Sequence, residues 1–426
     1  MRIVALDVGS SSVKAVAFDG EGRAEPGDAH LAYEGDDPDE LVEACRTVLR
    51  QVGEGDRLAV SCFWHSLVAL DRHGRPLTPV LTWRRLEPTR PPALEPRAYH
   101  RRTGCFLHPS FWPVKIARLR AEGVRAARYL SFADYLLVRL TGELRTGISM
   151  ASGTGLFDPN RLEWDDETLE ALRVGRDSLP PVSDEPVAGV RPPLGDGACA
   201  NVGAGCVTRQ RVAVTIGTSA AARVVYRADR VEPRDGLFLY RVDGSRVCEG
   251  GALSDGGNLH AWLRRTVAAF DDHALASRPP AGHGLVLLPF FGGERSLGWD
   301  ADRRGSIHGL TFDTTPADLA QAAVEAVSYR LAAIVDAIGG VEQVVATGGA
   351  LLASPAWQQI LADVLGIGVE VIDVAESSAR GAALATLGVE PPPAVERIVA
   401  PRPERHEVHV AARAEQERWM EIEEER

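Results

Sequence analysis

The chain has 426 residues, enough for two or three domains rather than one. Its 45% hydrophobic and 25% charged residues are ordinary for a soluble globular protein, and no apolar run reaches the ~18 residues that a membrane helix needs. The formal net charge of −12 argues against nucleic acid as main partner, yet leaves room for an anionic ligand held by helix N-termini, backbone N–H groups or a metal.

Residues Arg2–Leu6 read as an apolar strand, and Asp7 comes too early for a signal peptide. The turn Asp7-Val8-Gly9-Ser10-Ser11-Ser12 leads into a second strand, Val13–Phe18. A third short strand is expected near His30–Tyr33. Asp37 or Asp39 then caps a helix running to Val52, with Leu41, Cys45, Val48 and Leu49 on one face. Leu58–Phe63 returns as a strand. A dinucleotide fold would run from its first strand directly into a helix, so this β-β-β-α-β order excludes one. No Gly-Lys pair occurs, and with it goes any Walker A loop. Leu179–Leu194 is proline-rich and reads as irregular chain.

The second half opens like the first. Arg211–Ile216 and Ala221–Tyr226 are expected strands around Gly217-Thr218-Ser219, and Ile216–Ser219 matches Val8–Ser11 as a short internal repeat. Thr315 and Pro316 start a long amphipathic helix with Leu319, Ala323, Val327, Leu331, Ile334 and Ile338 on its stripe. The boundary between halves falls near 206–211. The Arg/Glu-rich end reads as a solvated terminal helix with surface histidines His406 and His409. Six cysteines without a CxxC pair suggest a reduced, cytoplasmic protein.

Two Gly-Ser/Thr-Ser turns between antiparallel strands offer backbone N–H groups, small hydroxyls and close approach, the parts that hold phosphate oxygens. Either turn alone reads as a plain hairpin; the pair suggests a nucleotide held between two lobes. Asp7 ends the first strand, where a carboxylate either holds Mg²⁺ or simply forms the turn. Asp196, between Gly195 and Gly197, either accepts a proton from a substrate hydroxyl or caps a helix. Strand Val344–Thr347, then Gly348-Gly349 and a helix, has the shape that takes a nucleoside, or is a tight βα loop. His100 and His108 flank the Gly104 turn and read as local structure.

Together these pieces resemble the FGGY family of carbohydrate kinases, of the actin/hexokinase/Hsp70 superfamily. The most specific stretch is Gly305-Ser306-Ile307-His308-Gly309-Leu310, followed by Asp318–Glu325; Leu288–Arg295 resembles the segment before it. Trp64-His65-Ser66, Thr103–Lys115 and Ser149–Leu156 are most similar to gluconokinase-type members. The resemblance runs from Arg2 to about Leu387. It implies an α/β fold of two ribonuclease-H-like domains around a nucleotide cleft. An N-terminal domain would span 1–208, a C-terminal domain 209–390, and a charged tail 391–426. It implies ATP and Mg²⁺, with Asp7 associated with the metal and Asp196 the catalytic base. Gly9, Ser10, Ser11 and Ser12 would form the first phosphate loop, and Gly217, Thr218 and Ser219 the second. Gly348 and Gly349 would meet the adenosine, and Trp64, His65, Trp83 and Asp196 the acceptor. Glu249-Gly250-Gly251 resembles a segment lining the cleft, or is a strand-end turn.

The implied reaction is ATP-dependent phosphorylation of a hydroxyl on a small sugar or sugar acid, gluconate first, with a ketopentose or other polyol as alternative. Two departures count against it. The family's Trp-x-Asp-x-Arg loses its aspartate at Trp83-Arg84-Arg85, and Ser183–Leu194 is a short bypass that leaves Asp196 less well placed. Both favour a rival of another class, a non-catalytic sugar- or nucleotide-binding regulator on the same scaffold. An ATPase of chaperone type is a further rival. No segment specifies an interface, and a homodimer is an option that the resemblance leaves open. Nucleic acid and membrane are not expected partners.

Overall fold

A computed structural model describes residues 1–83, 91–374 and 376–425. Arg84 and Arg85, and with them the missing aspartate, lie outside the described residues.

Two sheets share one plan. In the first, the strands follow the order 29–32, 12–18, 3–8, 57–62, 194–195. Ile3–Val8 pairs antiparallel with Ser12–Phe18 through the tight turn and parallel with Arg57–Cys62 on its other side. A parallel neighbour needs a crossover, supplied by helix Pro38–Val52. Asp37 is its cap, accepting from the Asp39 and Glu40 amides at 2.9 and 3.0 Å. The second sheet repeats the pattern. Arg211–Ile216 pairs antiparallel with Ala220–Arg227 and parallel with Gln343–Thr347, reached through helix Pro316–Ile338. Thr315 and Asp318 close a capping box at that helix's start.

The proline-rich stretch is irregular chain up to Pro193, as expected, apart from isolated bridges at Val182, Val187 and Val190, and it ends in a short strand. Leu194 and Gly195 pair in parallel with Ser61 and Cys62 as the edge of the first sheet, and helix Asp196–Gly203 starts directly from that edge. Asp196 is therefore fixed by sheet pairing on one side and by a helix on the other.

Two helices tie the halves together. Asp196–Gly203 packs on strand Ala220–Arg227 of the second sheet, while Ser377–Leu387 crosses back onto strands Ile3–Val8 and Arg57–Cys62 of the first. They meet through small residues. A Cβ on Gly203 would sit 1.8 Å from the Ser377 carbonyl oxygen, and one on Gly381 1.8 Å from that of Cys199. Ala379, Ala382 and Ala383 join Ile3, Ala5 and Phe18 in one buried cluster. Lys14 and Glu376 add a 2.7 Å ion pair across the same junction.

The acidic end is no solvated tail. Val395–Val399 pairs antiparallel with Val369–Ile372 as an edge strand of the second sheet, and helix Pro403–Glu424 packs on helix Pro316–Ile338. Its charges have partners, which composition does not reveal. Gln416 is buried and donates to the Leu287 carbonyl at 2.8 Å; Trp419 stacks on His308 at 3.9 Å; Arg402 pairs with buried Asp363. His409, expected on the surface, is buried with Nδ1 3.0 Å from the Tyr329 hydroxyl. No described helix is long and apolar enough to cross a membrane.

Gly381→Val should separate the crossing helices and destabilise the chain by about 3 kcal/mol or more, since the obstacle is backbone. Gly349→Ala, whose Cβ meets nothing within 4 Å, should be near neutral in the same urea titration.

Candidate active site

The two hairpin turns face a cavity of about 220 Å³ between the halves. In the first, the Gly9 amide donates to the Ser12 carbonyl at 2.9 Å, and Tyr33 braces the turn by donating its hydroxyl to the Gly9 carbonyl. Ser10 lines the cavity. Ser11 and Ser12 close the turn, Ser11 accepting from the Tyr33 amide at 3.1 Å. In the second, the Gly217 amide donates to the Ser219 carbonyl at 2.9 Å, and Gly217, Thr218 and Ser219 all line the cavity. The Gly217 and Thr218 carbonyls accept from the Gly257 and Asn258 amides at 2.8 and 3.0 Å, which leaves the turn's outer face open.

Asp196 lines the same cavity. The glycines beside it have a tertiary reason. The Trp64 indole lies flat against this turn, and a Cβ on Gly195 would sit 1.8 Å from the ring. Trp64 is held by its Nε1–H donating to the Ser149 carbonyl at 3.0 Å and by an edge contact with Tyr240 at 4.9 Å. His65 adopts φ 66°, a strained backbone for a non-glycine residue, and its Nδ1 lies 2.7 Å from the Gly153 carbonyl. Lys115 pins this strained turn from below, donating to the His65 carbonyl and, at 3.2 Å, to that of Leu81.

Burial raises the Asp196 carboxyl above the usual carboxylate range, opposed chiefly by Arg223. Asp7 is also buried and is pushed up to about 7 by desolvation, with the charge of Asp196 adding to it. Its Oδ1 accepts from the Ser61 hydroxyl at 2.7 Å. A divalent cation would compensate this burial, and a lone hydrogen-bonded carboxylate beside two turns that offer backbone N–H groups would suit one that arrives with a nucleotide. Among the described residues no group of three His, Cys, Asp or Glu side chains forms a cation cage.

Gly348 and Gly349 line neither this cavity nor the one beyond them, which the next residue, Ala350, borders. Gly348 has φ 87°, and its Cα packs against the Ile216 backbone, where a Cβ would sit 2.6 Å from a carbonyl oxygen. The adjoining cavity, about 280 Å³, is lined by Gly257, Ala350, Ser354, Trp357 and His260, the last 2.8 Å from Asp272. Glu249-Gly250-Gly251 is neither a turn nor part of the cleft wall. It lies mid-strand in Arg246–Leu253, with Glu249 paired to Arg234 at 3.1 Å and Gly251 packed on Ile334. His100 is structural, its Nε2 2.8 Å from the Leu237 carbonyl.

Sequence reasoning missed Arg223, Tyr240 and Arg295, which also line the main cavity. Arg223 carried one signal: it shares a strand face with Ala221 and is the one charge among the apolar residues from Ala220 to Tyr226. Arg223 Nη2 donates to Thr215 Oγ1 at 3.0 Å, and its Nε has no partner. Trp83 lines the cavity too, its ring centroid 5.2 Å from the Arg295 guanidinium.

Family models for the N-terminal and C-terminal domains of FGGY carbohydrate kinases match residues 2–189 and 212–387. The chain belongs to the FGGY family of carbohydrate kinases. It is 27% identical to a gluconokinase of Bacillus subtilis (strain 168), covering 90% of this chain and 86% of that protein. It is 30% identical to a glycerol kinase of Allorhizobium ampelinum, covering 89% and 88%. In fold it is similar to a gluconate kinase from Lactobacillus acidophilus, with TM-score 0.86 and 23% identity over 99% of this chain and 98% of that one. A xylulose kinase from the same organism gives 0.85 and 22%, with coverage of 99% and 98%. This member of the family is an ATP-dependent kinase that phosphorylates a hydroxyl of a sugar or sugar acid.

Asp7 titrates in the native state near 7, well above the ~3.9 of an unfolded chain. The native state thus binds its proton more tightly, and stability falls as pH rises between those values. Asp7→Asn removes that cost. Its Tm advantage over the parent should widen by about 3 °C or more between pH 5 and pH 8 in thermal melts; a constant gap would refute the assignment.

Proposed function

We propose that the chain transfers the γ-phosphoryl group of Mg·ATP to a hydroxyl of a small sugar acid, gluconate first, and that Asp196 is the base. The observation that carries this reading is one cavity bounded by the Asp196 carboxyl, the turn Gly217–Ser219 and the pair Trp64–His65. Trp64, His65 and Trp83 would hold the acceptor. The two turns would take the phosphates, Gly348 and Gly349 the adenosine. Asp7 would hold Mg²⁺, which neutralises phosphate charge when bound.

Asp196 takes the proton of the acceptor hydroxyl as its oxygen bonds to the γ-phosphorus and the bond to the ADP oxygen breaks. The products are the phosphorylated acid, ADP and one proton. Phosphoryl transfer asks little covalent chemistry of the protein, so positioning and charge stabilisation carry the catalysis. The raised carboxyl of Asp196 makes it a better base than an exposed aspartate, and it is effective only once ionised. Six buried, unpaired cysteines suit a reducing compartment, and the cytoplasm is the one we propose.

The test is coupled ADP release with Mg·ATP against gluconate, xylulose, ribulose, erythritol, glycerol and no acceptor. Acceptor-dependent turnover is expected, and Asp196→Asn should lower kcat by at least ~10²-fold. The acidic limb of the kcat profile should lie above the ordinary carboxylate range. Full activity in Asp196→Asn would remove the base from the scheme. ATP binding without turnover on any acceptor would favour the non-catalytic regulator.

A further inference from the structure

Four arginines are buried among the described residues: Arg241, Arg246, Arg295 and Arg330. Three have acceptors. Arg241 donates to the carbonyls of Pro159, Ala228 and Asp229 at 2.7, 2.6 and 2.8 Å. Arg246 pairs with Asp243 and Glu390, and Arg330 with Glu294. Arg295 is 7% exposed, has no carboxylate within ion-pair distance among the described residues, and leaves its Nε without a partner. A buried guanidinium in this state is costly, and an anionic ligand would relieve that cost.

Arg295 is flanked by aromatic rings and neutral histidines, while Asp196, Arg223 and Lys115 interact with it through charge alone. Its guanidinium lies 5.2 and 5.9 Å from the ring centroids of Trp83 and Trp299. His65 and His108 are kept neutral, mainly by burial and then by the charge of Arg295 itself. The Tyr240 hydroxyl and His108 Nε2 are buried and unpartnered. Trp83, His65 and Tyr240 share the wall of the main cavity with Arg295. Among the described residues the single carboxylate on that wall, Asp196, faces both Arg223 and Arg295. The unpaired charge therefore sits on the acceptor side, whereas Arg223 is tied to Thr215 in the strand that ends at the second phosphate turn.

The mounting is rigid. Glu294, next in sequence, is buried and paired with Arg303 at 2.8 Å and Arg330 at 3.2 Å. Arg303 in turn donates to the Met420 carbonyl of the terminal helix at 2.9 Å. A fork fixed in this way is pre-organised for two parallel hydrogen bonds to a planar anion.

We propose that Arg295 is a specificity-determining residue that binds a carboxylate on the acceptor, so that the substrate class is an aldonate rather than a neutral ketose or alditol. This rests on the kinase reading above, and the experiment separates the two. Gluconate and glucitol carry the same hydroxyl chain and differ at C1, carboxylate against CH₂OH. Binding of each is measured by calorimetry, and turnover by ADP release with Mg·ATP, in the parent and in Arg295→Met.

The parent should prefer gluconate by about 100-fold or more in kcat/KM, the range for a site built to bond a polar group that its competitor lacks. Arg295→Met should reduce that preference to a few-fold, chiefly through the acceptor KM, with the KM for ATP unchanged. Its Tm should not fall, since the change replaces an uncompensated buried charge with an apolar side chain of similar length. If Arg295→Met does not fold, Arg295→Lys keeps the charge without the fork and should lose at least tenfold of the preference. An equal fall in kcat for both acceptors with a higher KM for ATP would assign the guanidinium to the phosphoryl group and overturn the proposal. Turnover of glucitol or xylulose as good as that of gluconate would overturn it and leave the kinase standing. Arg295-dependent gluconate binding without ADP from any acceptor would uphold the carboxylate site and overturn the kinase reading.

Discussion

The close crossing of helices Asp196–Gly203 and Ser377–Leu387 is the constraint on which the cleft depends. Each helix belongs by sequence to one half and packs on the sheet of the other. Gly203 and Gly381 let the backbones approach until a methyl group would overlap a carbonyl oxygen. The crossing has a direct chemical consequence, because Asp196 is the first residue of one of the helices. Its distance from the Gly217–Ser219 turn is set by how deeply the two helices seat. A crossing this tight fixes the Asp196 carboxyl relative to both sheets.

Trp64 performs a second fixing. Its indole fills the volume that side chains at Gly153, Gly195 and Gly197 would need. The Trp64–His65 segment and the turn that carries Asp196 are thereby packed against each other. Lys115 and the strained His65 complete that wall from beneath. Such strain persists only where the surroundings over-determine it, and here the His65 ring and backbone are both tied.

The sheets were largely legible because their signals are local. The turns at Gly9–Ser12 and Gly217–Ser219 combine small residues with flanking alternation, and the capped helices announce themselves through Asp37 and Thr315-Pro316. Asp196 was legible as a carboxylate between glycines, although the reason for the glycines was not, since Trp64 is 131 positions away. Arg295 and Tyr240 were hidden for the same reason: their significance lies in what does not pair with them. The terminal helix was misread because composition counts charges and cannot see that Asp363, His308 and Tyr329 meet them. The proline-rich stretch was legible as irregular chain, but the two-residue strand at its end, which seats Asp196, has no periodicity to detect.

The electrostatics of the cleft follow from these placements. Asp7 is pushed up to about 7 by burial, and Asp196 is raised as well. Arg295, drawn down to about 10, bears the same desolvation with the opposite sign. Carboxylates that resist ionisation leave the cleft less negative before a polyanionic nucleotide enters, which lowers the repulsion it meets. Groups of both signs are thus poorly solvated in the free protein and become compensated when their ligands arrive. The fixed backbone turns would need little reorganisation at that moment, which is the condition under which electrostatic stabilisation of a phosphoryl-transfer transition state is strongest.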